Sequence, residues 1–283
     1  MSTSIHLCQP AENVSCAACC GIYNYARNRR TELVKRFENR TRLFGLVRQG
    51  KLGLEGYRGI VKRSEHLKRV FPTIYSCEFV GYLDDGRRRV GCMLHPASNN
   101  GEDLRDASFY GRDICDGHFC PSYAKLEDHE VRVILSCVDD WYLYGALITD
   151  IDFVKNFFDS VQNRLGESVD PARVSPGSAP AAIFRRLCGL KLDWPYRDTS
   201  RPRFGKYFFV GEDYDIARID YASLGAPRSP YDPILVSLAS SFKNKDELTS
   251  AHLIIENLVE GFCSAYERSR GQDHPDGPRG RRP

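Results

Sequence analysis

The sequence predicts an α+β, mainly helical protein with a cysteine-rich, metal-organised amino-terminal half and a small β element. Several stretches repeat apolar residues at helical spacing, and one Asp-Gly pair separates two short alternating segments. Eight of the eleven cysteines lie in the first 120 residues, where an even distribution would place about five. The composition, 42% hydrophobic and 27% charged, is that of an ordinary globular protein and excludes a wholly disordered or fibrous chain.

The helices are predicted from apolar residues at intervals of three and four. Leu33, Phe37, Phe44 and Val47 predict a long amphipathic helix over 23–48. A glycine-rich turn is expected over 50–59, and Asp150 is expected to begin a helix. The other predicted helices cover 60–70, 122–137, 153–165, 181–192 and 247–268.

A β-hairpin is predicted around Asp84-Asp85-Gly86, with Cys77 and Cys92 on its two arms. One or two further strands are expected over 206–221. Residues 99–121 are rich in glycine and are interpreted as a loop, and 168–180 as a linker. The predicted organisation is a cysteine-cluster metal-binding region over 1–123, a mainly helical region over 124–270 packed with it, and a disordered tail over 271–283.

The expected compartment is the cytoplasm. The first twenty residues show no secretory signal pattern, and no segment approaches the roughly 18 apolar residues of a membrane span. Because cytoplasmic thiols are kept reduced, clustered cysteines there more often bind metal than form disulfides. We therefore expect no membrane association, and a metal ion as the principal partner. A protein partner is not predicted.

The motif Cys16-Ala-Ala-Cys19-Cys20 places three thiols within five residues of a predicted loop. A CxxC loop lets two thiolates reach one ion, and the adjacent Cys20 can point to the same centre or to a second one. The segment 115–120 adds two sulfurs and the imidazole of His118. The predicted metal ligands are Cys16, Cys19, Cys20, Cys77, Cys92, Cys115 and Cys120, with Cys8 undecided.

These segments resemble the YkgJ-type cysteine-cluster family, whose members are described as zinc- or iron-chelating CxxCxxCC domains. The segment 15–21 resembles the family's opening cluster, 77–80 its second segment and 91–96 its third, and Cys115 and Cys120 match the closing pair. The match covers about 8–123. Cys8 lies eight positions before Cys16 instead of three, and no Arg-Pro follows Pro96. The resemblance implies a metal-binding role, and some members of that family are associated with methylation of protein lysines.

The sequence leaves two alternatives open for the metal. The cysteines could form two tetrahedral zinc sites, or they could hold one iron–sulfur centre such as a 4Fe–4S cluster. His118 is the strongest histidine candidate to replace a sulfur, whereas His6 and His95 are expected at the surface or behind the ligands. The remaining cysteines, Cys137, Cys188 and Cys263, lie within apolar helical patterns and are predicted to be core residues.

Two other functions stay open. The first is an iron–sulfur-dependent redox or protein-methylating enzyme, although the sequence contains no complete dinucleotide-binding, phosphate-loop or serine-hydrolase motif. The second is a metal-stabilised nucleic-acid-associated module, because residues 27–69 carry fourteen Lys and Arg against four acids while the whole chain has a net charge of +3. We favour a solvated, ion-paired helix face for this basic block, since no aromatic pattern interleaves the charges.

Overall fold

The computed structural model describes residues 4–65, 68–200, 205–211 and 213–270. It is mainly helical with two small antiparallel sheets. The α-helices are α1 (Arg30–Arg48), α2 (Leu54–Ser64), α3 (Gly111–Gly117), α4 (Ser122–Lys125), α5 (Asp128–Cys137), α6 (Trp141–Ile148), α7 (Ile151–Leu165), α8 (Ala179–Gly189), α9 (Asp232–Ser237) and α10 (Lys245–Arg270). The strands are β1 (Val80–Tyr82), β2 (Val90–Cys92), β3 (Tyr207–Val210) and β4 (Asp213–Ile216).

The predicted hairpin is confirmed. Strands β1 and β2 pair with Val80 opposite Cys92 and Tyr82 opposite Val90, and the turn between them contains the Asp-Gly pair. Cys92 lies on the second strand as predicted, whereas Cys77 precedes the first strand by three residues. The predicted β element over 206–221 is also confirmed as the pair β3 and β4.

Helix α2 corrects the prediction of a turn over 50–59 followed by a helix over 60–70. It begins at Leu54 and contains two glycines, each of which costs about 1 kcal/mol relative to alanine in a helix interior. Tyr57 is fully buried and stacks on Phe79, with ring centroids 5.2 Å apart. Burial of this aromatic face outweighs the low helix propensity of the glycines.

Three other boundaries differ from the prediction. Helix α1 begins at Arg30 rather than at residue 23, because 22–24 form a separate 3₁₀ turn. The expected loop over 99–121 contains α3. The expected linker over 168–180 contributes Val169 and Val174 to the core, so it is a packed segment. The predicted tail over 271–283 lies outside the described residues.

The buried side chains form two hydrophobic clusters. One is built from α1, α2 and the first hairpin, and the other mainly from α5 to α10. Helix α6 contributes to both clusters, since Trp141 belongs to the first and Tyr144 to the second. Leu7 and Val14, although near the amino terminus, pack into the helical cluster. The helices and the cysteine-bearing segments are therefore joined by shared apolar packing.

The described helices contain none with the length and apolar character needed to cross a bilayer.

Candidate metal centre

The last two cysteines of the CxxCC motif lie on a short 3₁₀ turn, Ala18–Cys20, which is followed by Gly21 in the left-handed region at φ +80°. A Cβ on Gly21 would lie 2.6 Å from the carbonyl oxygen of Tyr75 and 2.9 Å from Cα of Ser76. Only glycine accepts both this backbone conformation and this close approach. Gly21 thus allows the motif to lie directly against the segment that carries Cys77.

Cys8 and Cys16 are held together by the backbone, because the amide of Cys16 donates to the carbonyl of Cys8 at 2.9 Å. The hydroxyl of Tyr123 lies 3.5 Å from the Cys8 sulfur, and the amide of Tyr123 donates to the carbonyl of Cys120 at 3.0 Å. Cys19 and Cys120 are each the largest influence on the other's pKa, which is raised at Cys19 and lowered at Cys120, so the two thiols are neighbours. These contacts bring Cys8, Cys16, Cys19 and Cys120 into one neighbourhood, which we call the first thiol group.

Cys20 and Cys77 are joined by a backbone hydrogen bond of 2.9 Å from the amide of Cys77 to the carbonyl of Cys20. Burial raises the pKa of the Cys20 thiol well above its usual value, and negative charge on Cys77, Cys92 and Cys115, and least strongly on Cys16, raises it further. The sulfurs of Cys77, Cys92 and Cys115 are therefore the strongest electrostatic neighbours of Cys20. We call Cys20, Cys77, Cys92 and Cys115 the second thiol group.

Cys115 reaches the second thiol group on α3, which is anchored by Arg105. The buried Arg105 side chain makes ion pairs with Asp103, at 2.6 Å, and with Asp116 on α3. Tyr75 contacts the rings of Phe109 and Tyr110 and so joins the start of α3 to the segment before Cys77. These contacts hold an otherwise exposed helical turn next to the hairpin.

Backbone N–H groups two residues further along the chain lower the pKa of four of the eight thiols, and at Cys16 the N–H donates a hydrogen bond to the sulfur. The pairs are Cys16 with Ala18, Cys77 with Phe79, Cys92 with Leu94, and Cys120 with Ser122. The distance from the Ala18 nitrogen to the Cys16 sulfur is 3.5 Å. Because an N–H donor stabilises the thiolate relative to the thiol, each pair prepares its sulfur to carry negative charge.

Burial opposes that charge at all four positions and is the largest effect at three of them. It raises the pKa of Cys16 and of Cys77 to about 12 and that of Cys92 to about 11, and the N–H donors offset only part of the effect. At the fourth position, the neighbouring Cys19 lowers the pKa of Cys120 to about 6. A cation bound to these sulfurs would reverse the effect of burial, since coordination deprotonates a thiol.

All eleven cysteines are free of disulfide bonds. Across the described ranges, no three Cys, His, Asp or Glu side chains stand in an arrangement that holds a metal ion as it is. The contacts within each thiol group are pairwise, and a closed four-sulfur arrangement requires side-chain rotation. Each cysteine can move its sulfur by turning about χ1 alone, between three staggered positions.

The remaining cysteines lie where the sequence predicts them, since Cys137, Cys188 and Cys263 are buried in the helical cluster. Burial raises the pKa of Cys137 to about 12. Neither Cys137 nor Cys188 receives a hydrogen bond from the residue two positions later. Their environment is that of small apolar core residues.

The three candidate histidines differ in their surroundings. His95 accepts a hydrogen bond from the amide of Ala97 through Nδ1 and caps a 3₁₀ turn. His6 lies at the edge of the first thiol group, with its Nδ1 3.3 Å from the Tyr123 hydroxyl. His118 is exposed just after α3.

Several arginines of the basic block form ion pairs with acidic residues. Arg40 is fully buried and makes bidentate hydrogen bonds of 2.8 and 2.7 Å with Glu65, which also pairs with Arg36. Arg30 pairs with Asp140 on the neighbouring segment. Arg40 also donates to the carbonyl of Cys77 at 2.9 Å, so part of the block positions a candidate ligand.

A cleft of about 670 Å³ lies elsewhere, between α7, β4 and α9. It is lined by charges of both signs, including Asp152, Lys155, Arg218 and Asp232, and by no cysteine. Its mixed charges select for no particular ligand.

The sequence patterns did not identify Tyr123, Arg105, Arg40 and Gly21 as supporting residues. Arg105 and Arg40 lie far from the thiols in sequence, and the spacing of the cysteines carries no information about them. Gly21 directly follows Cys20 and Tyr123 is three residues beyond Cys120, so proximity in sequence was the signal that could have indicated a supporting role for these two residues.

No protein-family model, no curated protein and no solved structure matches the chain.

Proposed function

We propose that this protein is a metal-binding protein in which the cysteines of its amino-terminal half hold zinc or an iron–sulfur centre. The observation that carries the proposal is the contrast between two kinds of cysteine. Eight cysteines from separate segments lie in two neighbouring groups, in which Cys16, Cys19 and Cys20 each have two or more other thiols as electrostatic neighbours. The other three are packed in the helical core.

The donor chemistry fits a thiophilic ion. Thiolates are the preferred ligands of zinc and of iron–sulfur clusters. The Arg40 and Arg105 guanidinium groups near the second thiol group offset part of the negative charge that four thiolates would bring. The resemblance to the YkgJ-type family is in agreement with this proposal and remains a prediction.

Metal bound in this way would contribute to folding. The segments around residues 8–24, 75–95 and 105–123 contain only one two-stranded hairpin and short helical turns. Regular secondary structure therefore supplies few of their backbone contacts. Ligands from all three segments on shared ions would cross-link them, and ligation free energy becomes folding free energy.

The test is anaerobic purification of the full chain under reducing conditions, followed by elemental analysis and a visible spectrum. We expect at least one equivalent of zinc or iron per chain. A colourless zinc protein and a brown iron–sulfur protein are distinguished by the visible absorption of sulfide-to-iron charge transfer. A chain that binds neither zinc nor reconstituted iron and sulfide overturns the proposal.

Cys20→Ser and Cys188→Ala serve as paired variants in that experiment. Cys20 lies in a thiol group and Cys188 is in the helical core, and both are largely enclosed by protein. Metal content is expected to fall in Cys20→Ser and to stay at the wild-type value in Cys188→Ala. Equal metal content in the two variants contradicts the proposal.

A further inference from the structure

The adjacent cysteines of the CxxCC motif point in different directions. Both lie on the 3₁₀ turn Ala18–Cys20, in which three residues make one turn, so successive side chains are about 120° apart around the axis. Cys16 and Cys120 pack with the helical cluster, whereas Cys20, Cys77 and Cys92 pack in the cluster built from α1, α2 and the first hairpin. In agreement with this packing, Cys120 is the largest influence on the pKa of Cys19, and Cys77, Cys92 and Cys115 are the strongest charged neighbours of Cys20. The turn therefore places Cys19 in the first thiol group and Cys20 in the second.

The segments outside the motif are divided in the same way. Cys8 is bonded through its backbone to Cys16 and through Tyr123 to the neighbourhood of Cys120. Cys77 is bonded through its backbone to Cys20. The segment 115–120 is also split, because Cys115 lies on α3 and Cys120 beyond its end, at the start of the turn that leads into α4.

We propose that the eight thiols form two separate four-cysteine metal sites, one made by Cys8, Cys16, Cys19 and Cys120 and the other by Cys20, Cys77, Cys92 and Cys115. This inference rests on the proposed function and adds to it the ligand assignment and the number of centres. It also makes Cys8 a ligand, although Cys8 lies outside the usual motif spacing.

Each site takes one tetrahedral thiophilic ion. Four sulfurs at about 2.3 Å from zinc lie about 3.8 Å from one another, which requires the thiols of each group to converge by rotation about χ1. Cys19 and Cys115 are the exposed members and have room to turn. On binding, the four thiols of a site become thiolates and their protons pass to solvent.

The two sites would differ in their surroundings. Arg105 lies close to Cys92, and Arg40 donates to the carbonyl of Cys77, so cations border the second site. The first site is bordered by neutral donors, namely the Tyr123 hydroxyl and the amides of Ala18 and Ser122. A four-thiolate zinc centre carries two negative charges, which nearby guanidinium groups stabilise.

The test counts zinc by native mass spectrometry during titration of metal-free, reduced full-length chain with Zn²⁺. The single variants are Cys19→Ser and Cys115→Ser, chosen because exposed side chains contribute little to the core. Two double variants stay within one site, Cys19→Ser/Cys120→Ser and Cys92→Ser/Cys115→Ser. One double variant, Cys19→Ser/Cys115→Ser, crosses the sites, and Cys188→Ala is the control.

The wild-type chain and the control are expected to bind two zinc ions. Each single variant should weaken one of the two ions by more than about a hundredfold, because loss of a supporting group behind a ligand already costs about 10- to 100-fold. Both within-site doubles should keep one tight ion, and the cross-site double should keep none. The number of tight zinc ions that the within-site and cross-site double variants retain can be compared however strongly each single substitution weakens binding.

Three results overturn the assignment. A single zinc ion that every variant weakens equally indicates one shared site and leaves the proposed function standing. A tight ion retained in the cross-site double shows that the thiols are grouped differently. Iron with equimolar sulfide in the anaerobically purified chain shows that clusters, rather than single ions, occupy the cysteines. A wild-type chain that binds neither zinc nor iron overturns the proposed function itself.

Circular dichroism of each variant accompanies the titration. If a variant fails to fold, the same count is made after replacing it with Cys16→Ser for the first site or Cys77→Ser for the second. A folded chain that keeps both tight ions after either substitution contradicts the assignment.

Discussion

The helical carboxyl-terminal half and the cysteine-bearing amino-terminal half use the same residue in opposite ways. Cys188 lies on α8 at 0% exposure among aliphatic and aromatic side chains. Cys16 is also buried, yet its sulfur accepts a backbone N–H hydrogen bond and lies near the thiols of Cys8 and Cys120. Burial alone therefore does not separate a core cysteine from a candidate ligand.

The two kinds of cysteine differ in the elements that position them and in the groups that surround them. A core cysteine is positioned by the face of its helix, and its pKa is raised mainly by burial. The candidate ligands are positioned by turns and by the first hairpin, and Cys16, Cys19 and Cys20 each have two or more thiols as electrostatic neighbours, whereas Cys188 has Cys137. The number of neighbouring thiols, rather than the depth of burial, distinguishes the two kinds of cysteine.

Removing metal is expected to have the largest effect, because it should destabilise the amino-terminal half and leave the helical half folded. Treatment of the reduced chain with a chelator is expected to open residues 8–24, 75–95 and 105–123, because structural zinc contributes about 10–16 kcal/mol in zinc-finger peptides. Helices α7, α8 and α10 should keep their protection, since their contacts are apolar and local to the helical cluster. Hydrogen exchange followed by peptide mass spectrometry measures the amide protection of each segment. If chelation leaves the protection of every segment unchanged, metal does not stabilise the amino-terminal half.

Arg40→Met is expected to have the next largest effect, on the amino-terminal half. It leaves Glu65 without its bidentate partner and the carbonyl of Cys77 without a donor, and breaking a buried ion pair costs about 3–5 kcal/mol. The free energy of unfolding is measured with urea. Arg42→Met, at an exposed position on the same helix, is the matched control and should change stability little. Equal losses in the two variants would show that the buried pair does not stabilise this half.

Gly21→Ala tests the close approach between the CxxCC motif and the segment before Cys77. An alanine at positive φ costs about 1–2 kcal/mol, and here its Cβ would also meet the Tyr75 carbonyl at 2.6 Å. Gly50→Ala is the matched control, because Gly50 has φ +68° but nothing within 4 Å of a Cβ. Gly21→Ala should therefore lose more unfolding free energy than Gly50→Ala and also bind zinc more weakly. Indistinguishable variants would mean that this contact does not organise the thiols.

Cys188→Ala should have the smallest effect, and it tests whether a core cysteine affects stability without affecting metal content. Removing one buried sulfur creates a small cavity, with an expected loss of about 1 kcal/mol in unfolding free energy. Metal content should not change, since Cys188 lies in the helical cluster. Urea unfolding and elemental analysis of the same sample measure both quantities. A fall in metal content would place Cys188 among the ligands and remove the distinction between the halves.

Much of the fold was predictable from local patterns. The hairpin followed from an Asp-Gly turn between apolar segments, and α10 from a long apolar face. The errors occurred where tertiary contacts outweighed local preference. In α2, burial of Tyr57 overrides two glycines, and in the segment 168–180 Val169 and Val174 pack into the core despite the surrounding Pro, Ser and Gly.

The candidate site was predictable in its members but not in its grouping. Spacing identified Cys16, Cys19 and Cys20 as a motif, but it left open whether Cys20 serves the same centre. It also left Cys8 undecided. In the structure, the 3₁₀ turn directs Cys19 and Cys20 to different thiol groups, and the contact with the Tyr123 hydroxyl places Cys8 in the first group.

By itself, the sequence determined which cysteines are concentrated in the amino-terminal half and which lie on apolar helical faces, because both are local properties of spacing and composition. Only the tertiary structure decided which distant thiols become neighbours. That depends on a backbone hydrogen bond between Cys20 and Cys77, on a glycine that permits the approach, and on Arg105 anchoring α3. Contacts between residues far apart in the chain leave no periodic pattern in the sequence.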